Sequence, residues 1–93
     1  SIYEGFGLPV LEAMARGLAV VTSDSSSLRE VGEGVALLVD PNDPMELRKA
    51  MRRLLDDEDL RRELAEKGRK RAEEYPWERT VELTRQAYRD ILG

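Results

Sequence analysis

The sequence predicts an α/β fold, specifically the carboxy-terminal part of a doubly wound layer, with short parallel strands followed by long amphipathic helices. Three observations carry this expectation. Two short apolar runs, "LAVVT" at 18–22 and "VALLV" at 35–39, are rich in β-branched residues and lack polar alternation, as in strands covered on both faces. Helix signals with glycine stops precede both runs. From residue 43 onward the chain becomes heavily charged, with one narrow apolar stripe per segment.

Pro9 suits the first turn of a helix, where its missing N–H costs nothing, and Leu11, Ala13, Met14 and Ala15 continue that helix toward a cap at Gly17. The first helix is expected over about residues 9–16. After the first strand, "SLRE" from Ser27 to Glu30 matches the S-x-x-E capping box, and a short helical turn ended by Gly32 and Gly34 is expected there. The second strand closes in the turn "DPNDP". Asp43, Pro44 and Glu46 then read as N-cap, first-turn proline and capping-box acid of a helix with the stripe Leu47, Ala50, Met51, Leu54 and Leu55. A further helix over about 58–75 carries Leu60, Leu64, Gly68, Ala72 and Tyr75 on one face until Pro76 interrupts it. The last helix begins near Trp77, with Val81, Thr84, Tyr88, Ile91 and Leu92 at helical spacing, and Trp77 suits core or interdomain packing. Two strands make too small a sheet, because a buried parallel pair needs further strands at its edges. Residues 1–93 are therefore expected to be part of a larger domain, and the isolated chain to self-associate.

Composition narrows the chemistry. The chain has 93 residues, enough for one modest core. Its 15 Lys+Arg against 19 Asp+Glu, interleaved along helix faces, argue against a nucleic-acid module. With no cysteine and no histidine, disulfides, thiolate or imidazole metal sites and histidine catalysis are excluded. The acidic run "DDED" at 56–59 and the oxygen-rich "DPNDPMEL" read as caps and solvated turns, and no metal is expected. No apolar run reaches the roughly 18 to 20 residues of a membrane span. The beginning, "SIYEGF", is neither a signal peptide nor a Met start, so the chain reads as soluble and as cut from something longer.

The stretch "EGFGLPVLEA" is the candidate site. Gly5 and Gly7 flank Phe6, so the backbone can turn sharply and bring its N–H groups close to a ligand. The helix beginning at Pro9 offers free first-turn N–H groups to an anion, phosphate above all. Such loops lie at the carboxyl ends of strands, where open α/β sheets bind ligands. Glu4 and Glu12 can address neighbouring hydroxyls at different parts of one elongated ligand. The plainer reading makes Glu4 a solvated loop carboxylate and Glu12 an acid favourable to the helix dipole. Phe6 can equally be a core plug or a pocket wall.

"SIYEGFGLPVLEAMARG", followed by "AVVTSDSSSLREV" and "GVALLVDPNDP", resembles the carboxy-terminal, Rossmann-like domain of retaining glycosyltransferases of the GT-B fold, in family 4, the glycosyl transferases group 1. Glu4 and Glu12 match the spacing of that family's E-x(7)-E motif, and the similarity continues through "LRRELAEKGRKRAEEYPWERT". The resemblance implies a hexosyltransferase-like parent whose substrate is a nucleotide sugar such as a UDP- or GDP-sugar, without cofactor or metal. It implies that Glu12 bonds the ribose hydroxyls and that Glu4, in the catalytic position, contacts the donor sugar. Gly5, Phe6, Gly7 and Leu8 would bind that sugar, while Leu8, Pro9 and Val10 would face the diphosphate. It further implies a partner in the missing amino-terminal acceptor domain, a cytoplasmic location with the parent at most peripheral at a membrane, and no transfer by this chain alone. The family often has proline in place of Ala19 and Arg29, and serine in place of Pro76. The alternative reading is a non-catalytic α/β interaction module.

Overall fold

Strand β2 (Ala19–Ser23), buried along its whole length, forms the centre of a three-stranded parallel sheet. The computed structural model describes residues 2–5 and 10–92. On one side of β2 lies β1 (Ile2–Glu4), in the register Ile2 with Ala19, Tyr3 with Val20 and Glu4 with Val21. On the other lies β3 (Leu37–Val39), paired as Val21 with Leu37, Thr22 with Leu38 and Ser23 with Val39. Helices α1 (Val10–Ala15) and α2 (Ser26–Gly32) connect successive strands, as parallel pairing requires. Three further helices complete the chain: α3 (Pro44–Asp56), α4 (Glu58–Ala72) and α5 (Trp77–Leu92).

The two-residue period of β2 divides the core into two layers. Val20 packs with Val10, Met14, Leu28, Val31, Leu83 and Ala87, so α1, α2 and α5 cover that face. Ala19 and Val21 point the other way, onto Val39, Leu54 and Leu64, where α3 and α4 cover the sheet. Gly68 lets α4 lie close to α1, since a Cβ there would meet Met14 Cγ at 3.3 Å. This is the doubly covered parallel layer that the two apolar runs predict.

The departures from expectation have local causes. A third strand, β1, precedes the expected two; its short run of two apolar residues and a glutamate carries almost no periodic signal. Strand β3 begins two residues later than the run from 35 suggests, because the Val35 and Ala36 N–H groups both donate to the Gly32 carbonyl at 2.9 Å and prolong the turn. The capping box at Ser27 does not form. Ser27 lies inside α2 and donates its hydroxyl to Asp90 Oδ2 at 2.9 Å, while Glu30 takes both its bonds from Arg79 at 2.7 and 2.9 Å. Asp43 does cap α3, accepting from Met45 and Glu46, but the Glu46 carboxylate accepts the Asp40 N–H at 3.1 Å and stabilises the preceding turn instead. Helix α4 ends at Ala72 rather than near 75, as the chain bends through Glu73 and Glu74 before Pro76.

Helix α5 differs most. Its buried positions are Leu83 and Ala87, whereas Tyr88 and Leu92 of the expected stripe are 46% and 80% exposed, and Trp77 is 75% exposed. The Ile91 side chain is outside those described. The helix has two candidate apolar faces. The smaller one wins because Ala87 permits close approach to α2 and the ties to Ser27 and Glu30 hold that face inward. Trp77 is thus not part of this chain's core.

Candidate functional site

The carboxyl ends of all three strands open at one edge of the sheet, where β1 delivers Glu4 and the chain turns toward α1. The Gly5 N–H donates to the Val21 carbonyl at 3.3 Å, so the ladder of β1 on β2 holds Glu4 one residue before its end. The Glu4 side chain is exposed. Gly5 sits against Tyr3: a Cβ there would fall 2.5 Å from the Tyr3 hydroxyl and 2.8 Å from its ring carbon Cζ, so the phenol would have to shift.

Glu12 stands in the first turn of α1, its side chain 55% exposed and paired with Arg16 at 3.4 Å. The Tyr3 phenol lies within electrostatic reach of both carboxylates. Burial, followed by the charges of Glu4, the Tyr88 phenol and Glu12, pushes the Tyr3 hydroxyl above its ordinary value. Glu4 and Glu12 therefore act electrostatically on one point although eight residues separate them in sequence.

Beyond Glu12 a groove of about 370 Å³ runs along α5, walled by Trp77, Val81, Thr84, Arg85 and Tyr88. Its lining is largely apolar, with Glu12 and Arg85 supplying opposite charges. At the same edge of the sheet Ser25 Oγ is buried without a hydrogen-bond partner among the described residues, as is Thr22 Oγ1 within β2.

Of the expected site residues, the structure brings Glu4, Gly5 and Glu12 together around Tyr3. Phe6, Gly7, Leu8 and Pro9 lie outside the described residues. Val10 has its side chain in the core at 3% exposure, which leaves only its backbone to meet a ligand. Sequence reasoning missed Tyr3, Arg85 and Tyr88 as neighbours of the glutamates. Tyr3 had a signal in its position next to Glu4, but nothing in the spacing joins residue 3 to residue 88. Among the described residues no group of three or more acidic or other ligating side chains is placed to hold a metal.

A parallel sheet covered on both faces, with carboxylates at the carboxyl edge and a groove beside them, defines a ligand-binding α/β layer of the Rossmann-like class. The family described as glycosyl transferases group 1 matches residues 1–71, and the chain belongs to it. It is 39% identical over 89 residues to O-antigen chain mannosyltransferase B of Escherichia coli, covering 96% of this chain and 23% of that protein. It is 43% identical over 98 residues to the MMP alpha-(1->4)-mannosyltransferase of Mycolicibacterium hassiacum, covering 100% of this chain and 24% of that one. Among solved structures, sucrose-phosphate synthase from Thermosynechococcus elongatus superposes with a TM-score of 0.70 at 36% identity, covering 94% of this chain and 23% of that chain. The fold is thus that of a GT-B glycosyltransferase segment, and the chain spans about a quarter of the length of these relatives.

Proposed function

We propose that this segment supplies the donor half of a retaining glycosyl-transfer site, and that the activated sugar comes as a nucleoside-diphosphate sugar. The observation that carries this reading is the placement of Glu4 at the carboxyl end of β1 and of Glu12 in the first turn of the helix that follows, in a chain of this family. Glu12, exposed in the first turn of α1, suits two neighbouring ribose hydroxyls. Glu4, at the strand end, faces the sugar. Gly5, Phe6, Gly7 and Leu8 are assigned to the sugar hydroxyls, and Leu8, Pro9 and Val10 to the diphosphate. In the transfer, the acceptor oxygen bonds to the anomeric carbon on the face from which the diphosphate leaves. The acceptor proton passes to the leaving diphosphate oxygen. The protein's share is to stabilise the charge growing on that diphosphate with preorganised donors. Two of the relatives are named as mannosyltransferases, so a nucleotide-activated mannose is the first donor to test.

The test separates the two glutamates in a longer enzyme that carries this segment with an acceptor-binding domain. Glu12→Gln should weaken nucleotide sugar and free nucleoside diphosphate alike, by roughly 1.5 to 3 kcal/mol for one hydrogen bond to a charged group. Glu4→Gln should lower turnover and leave diphosphate affinity nearly unchanged. Equal weakening of diphosphate binding by both substitutions would overturn the assignment. The chain alone is expected to transfer no sugar. The second reading, a non-catalytic interaction module, is favoured by the exposed Trp77 and Leu92 on α5; it predicts that neither substitution affects nucleotide binding.

A further inference from the structure

Tyr3 stands where β1, α1 and α5 meet. Paired with Val20 in the sheet, it turns its ring to the face covered by α1, α2 and α5 and packs against the buried cluster there. The hydroxyl end of the ring lies over Gly5, where a Cβ would meet the hydroxyl at 2.5 Å, nearer than any ring carbon. The phenol is thus held by the core on one side and by the backbone of Gly5 on the other. Glu12 is held less firmly. Its helix neighbours Val10, Leu11, Ala13 and Met14 are buried, but its own carboxylate is 55% exposed and pairs at 3.4 Å with Arg16, itself 72% exposed. An ion pair so open to solvent does little to fix a carboxylate. Glu12 and Tyr88 line one groove, and both act on the Tyr3 hydroxyl, which burial above all keeps protonated beyond its ordinary range. A neutral phenol has an O–H to donate, and a carboxylate accepts.

We propose that Tyr3 is a positioning residue of the donor site: its phenol, fixed by the core and by Gly5, orients the Glu12 carboxylate toward the nucleotide. This rests on the reading of Glu12 as the partner of the ribose hydroxyls. One carboxylate bonds two neighbouring hydroxyls only when both its oxygens face them, so a freely rotating Glu12 would have to be ordered as the ligand binds. A Glu12 already turned by Tyr3 loses less freedom at that moment. Packing explains the Tyr3 ring but not its hydroxyl, since contact with an apolar cluster needs only the ring. The missing side chain at Gly5 makes room for the hydroxyl above all. Glu4 does not compete for it from the same side, because successive residues of a strand point to opposite faces of the sheet.

The experiment uses the longer enzyme that carries this segment, titrated calorimetrically with GDP and with UDP. Tyr3→Phe keeps the ring and removes the hydroxyl, and should raise Kd for the nucleotide that binds roughly three- to tenfold, the range for one intramolecular hydrogen bond. In transfer the same variant should raise KM for the nucleotide sugar by that factor and leave kcat nearly unchanged, since the ribose is held alike in the ground state and the transition state. Tyr75→Phe is the control. That phenol is also half-buried against the same cluster, but its charged neighbours are Glu30, Arg71, Arg79 and Glu74, and its loss should leave nucleotide affinity unchanged. On a Glu12→Ala background Tyr3→Phe should change Kd by less than about twofold, because the group it orients is gone. Unchanged affinity in Tyr3→Phe alone, or the same loss with and without Glu12, would overturn the proposal and leave Glu12 at the ribose. A Glu12→Ala variant that binds GDP and UDP as the parent does would overturn the donor-site reading itself, and this inference with it.

Discussion

Gly17 and Tyr3 show how differently single residues can be read. Gly17 adopts φ +77 and closes α1 with its N–H on the Met14 carbonyl at 3.0 Å, while the Leu18 N–H reaches the Ala13 carbonyl at 3.2 Å. A Cβ at Gly17 meets nothing within 4 Å, so Gly17→Ala tests backbone cost alone. A loss of about 1 to 2 kcal/mol in denaturant unfolding is expected. A helix followed by glycine makes this cap legible in sequence. The role of Tyr3 is not legible, because it depends on burial and on the nearness of Glu4, Tyr88 and Glu12. Its raised pKa means that the folded chain holds the phenolic proton more firmly than the unfolded one. That stability is fully present below the ordinary value of 10.0 and is lost as pH rises through the raised folded value. Unfolding midpoints should fall as pH climbs past 10, and Tyr3→Phe should remove part of that fall. Tyr75, also raised chiefly by burial, supplies another part.

At the scale of elements, α5 decides the shape of the groove. Its amphipathic pattern is plain in the sequence, but the face that goes inward is not, because Leu83 and Ala87 compete with the larger row from Trp77 to Tyr88. The Arg79 to Glu30 and Ser27 to Asp90 bonds favour the smaller face; the exposed Arg79–Glu30 pair contributes modestly, while Ser27 is buried and Asp90 supplies its hydroxyl with a partner. The core assignment is checked by Leu83→Ala, which should cost about 2 to 5 kcal/mol. Trp77→Ser should cost less than about 0.5 kcal/mol in the same chain. Reversed magnitudes in chemical denaturation would mean that the Trp77 face packs inward. Arg71 likewise crosses between elements, donating to the Val31 carbonyl at 2.8 Å and so satisfying the carboxyl end of α2.

At the scale of the whole molecule, a three-stranded sheet covered on both faces still has β1 and β3 as open edges. Exposed Trp77, Tyr88 and Leu92 add an apolar surface on α5. Sedimentation is expected to show concentration-dependent self-association, which Ile2→Pro should weaken by removing a backbone donor from the open side of β1, since the Gly5 and hence the Tyr3 N–H groups face β2. A single monomeric species across a wide concentration range would contradict this expectation. No helix among the described residues is long and apolar enough to cross a membrane.

The sequence by itself determined the class of fold, the order of its helices and the two longer apolar runs, because periodicity, glycine stops and the Asp43 cap act within a few residues of the chain. It also marked Glu4, Gly5 and Glu12, since their motif is local. Only the tertiary structure decided that a third strand places Glu4 at the sheet edge, that Ser27 and Glu30 serve α5 rather than a capping box, and that Tyr3, Arg85 and Tyr88 gather near Glu12. Each of these depends on contacts between residues far apart in the chain. Such contacts are set by which apolar face a helix buries, and where two faces compete, packing chooses between them.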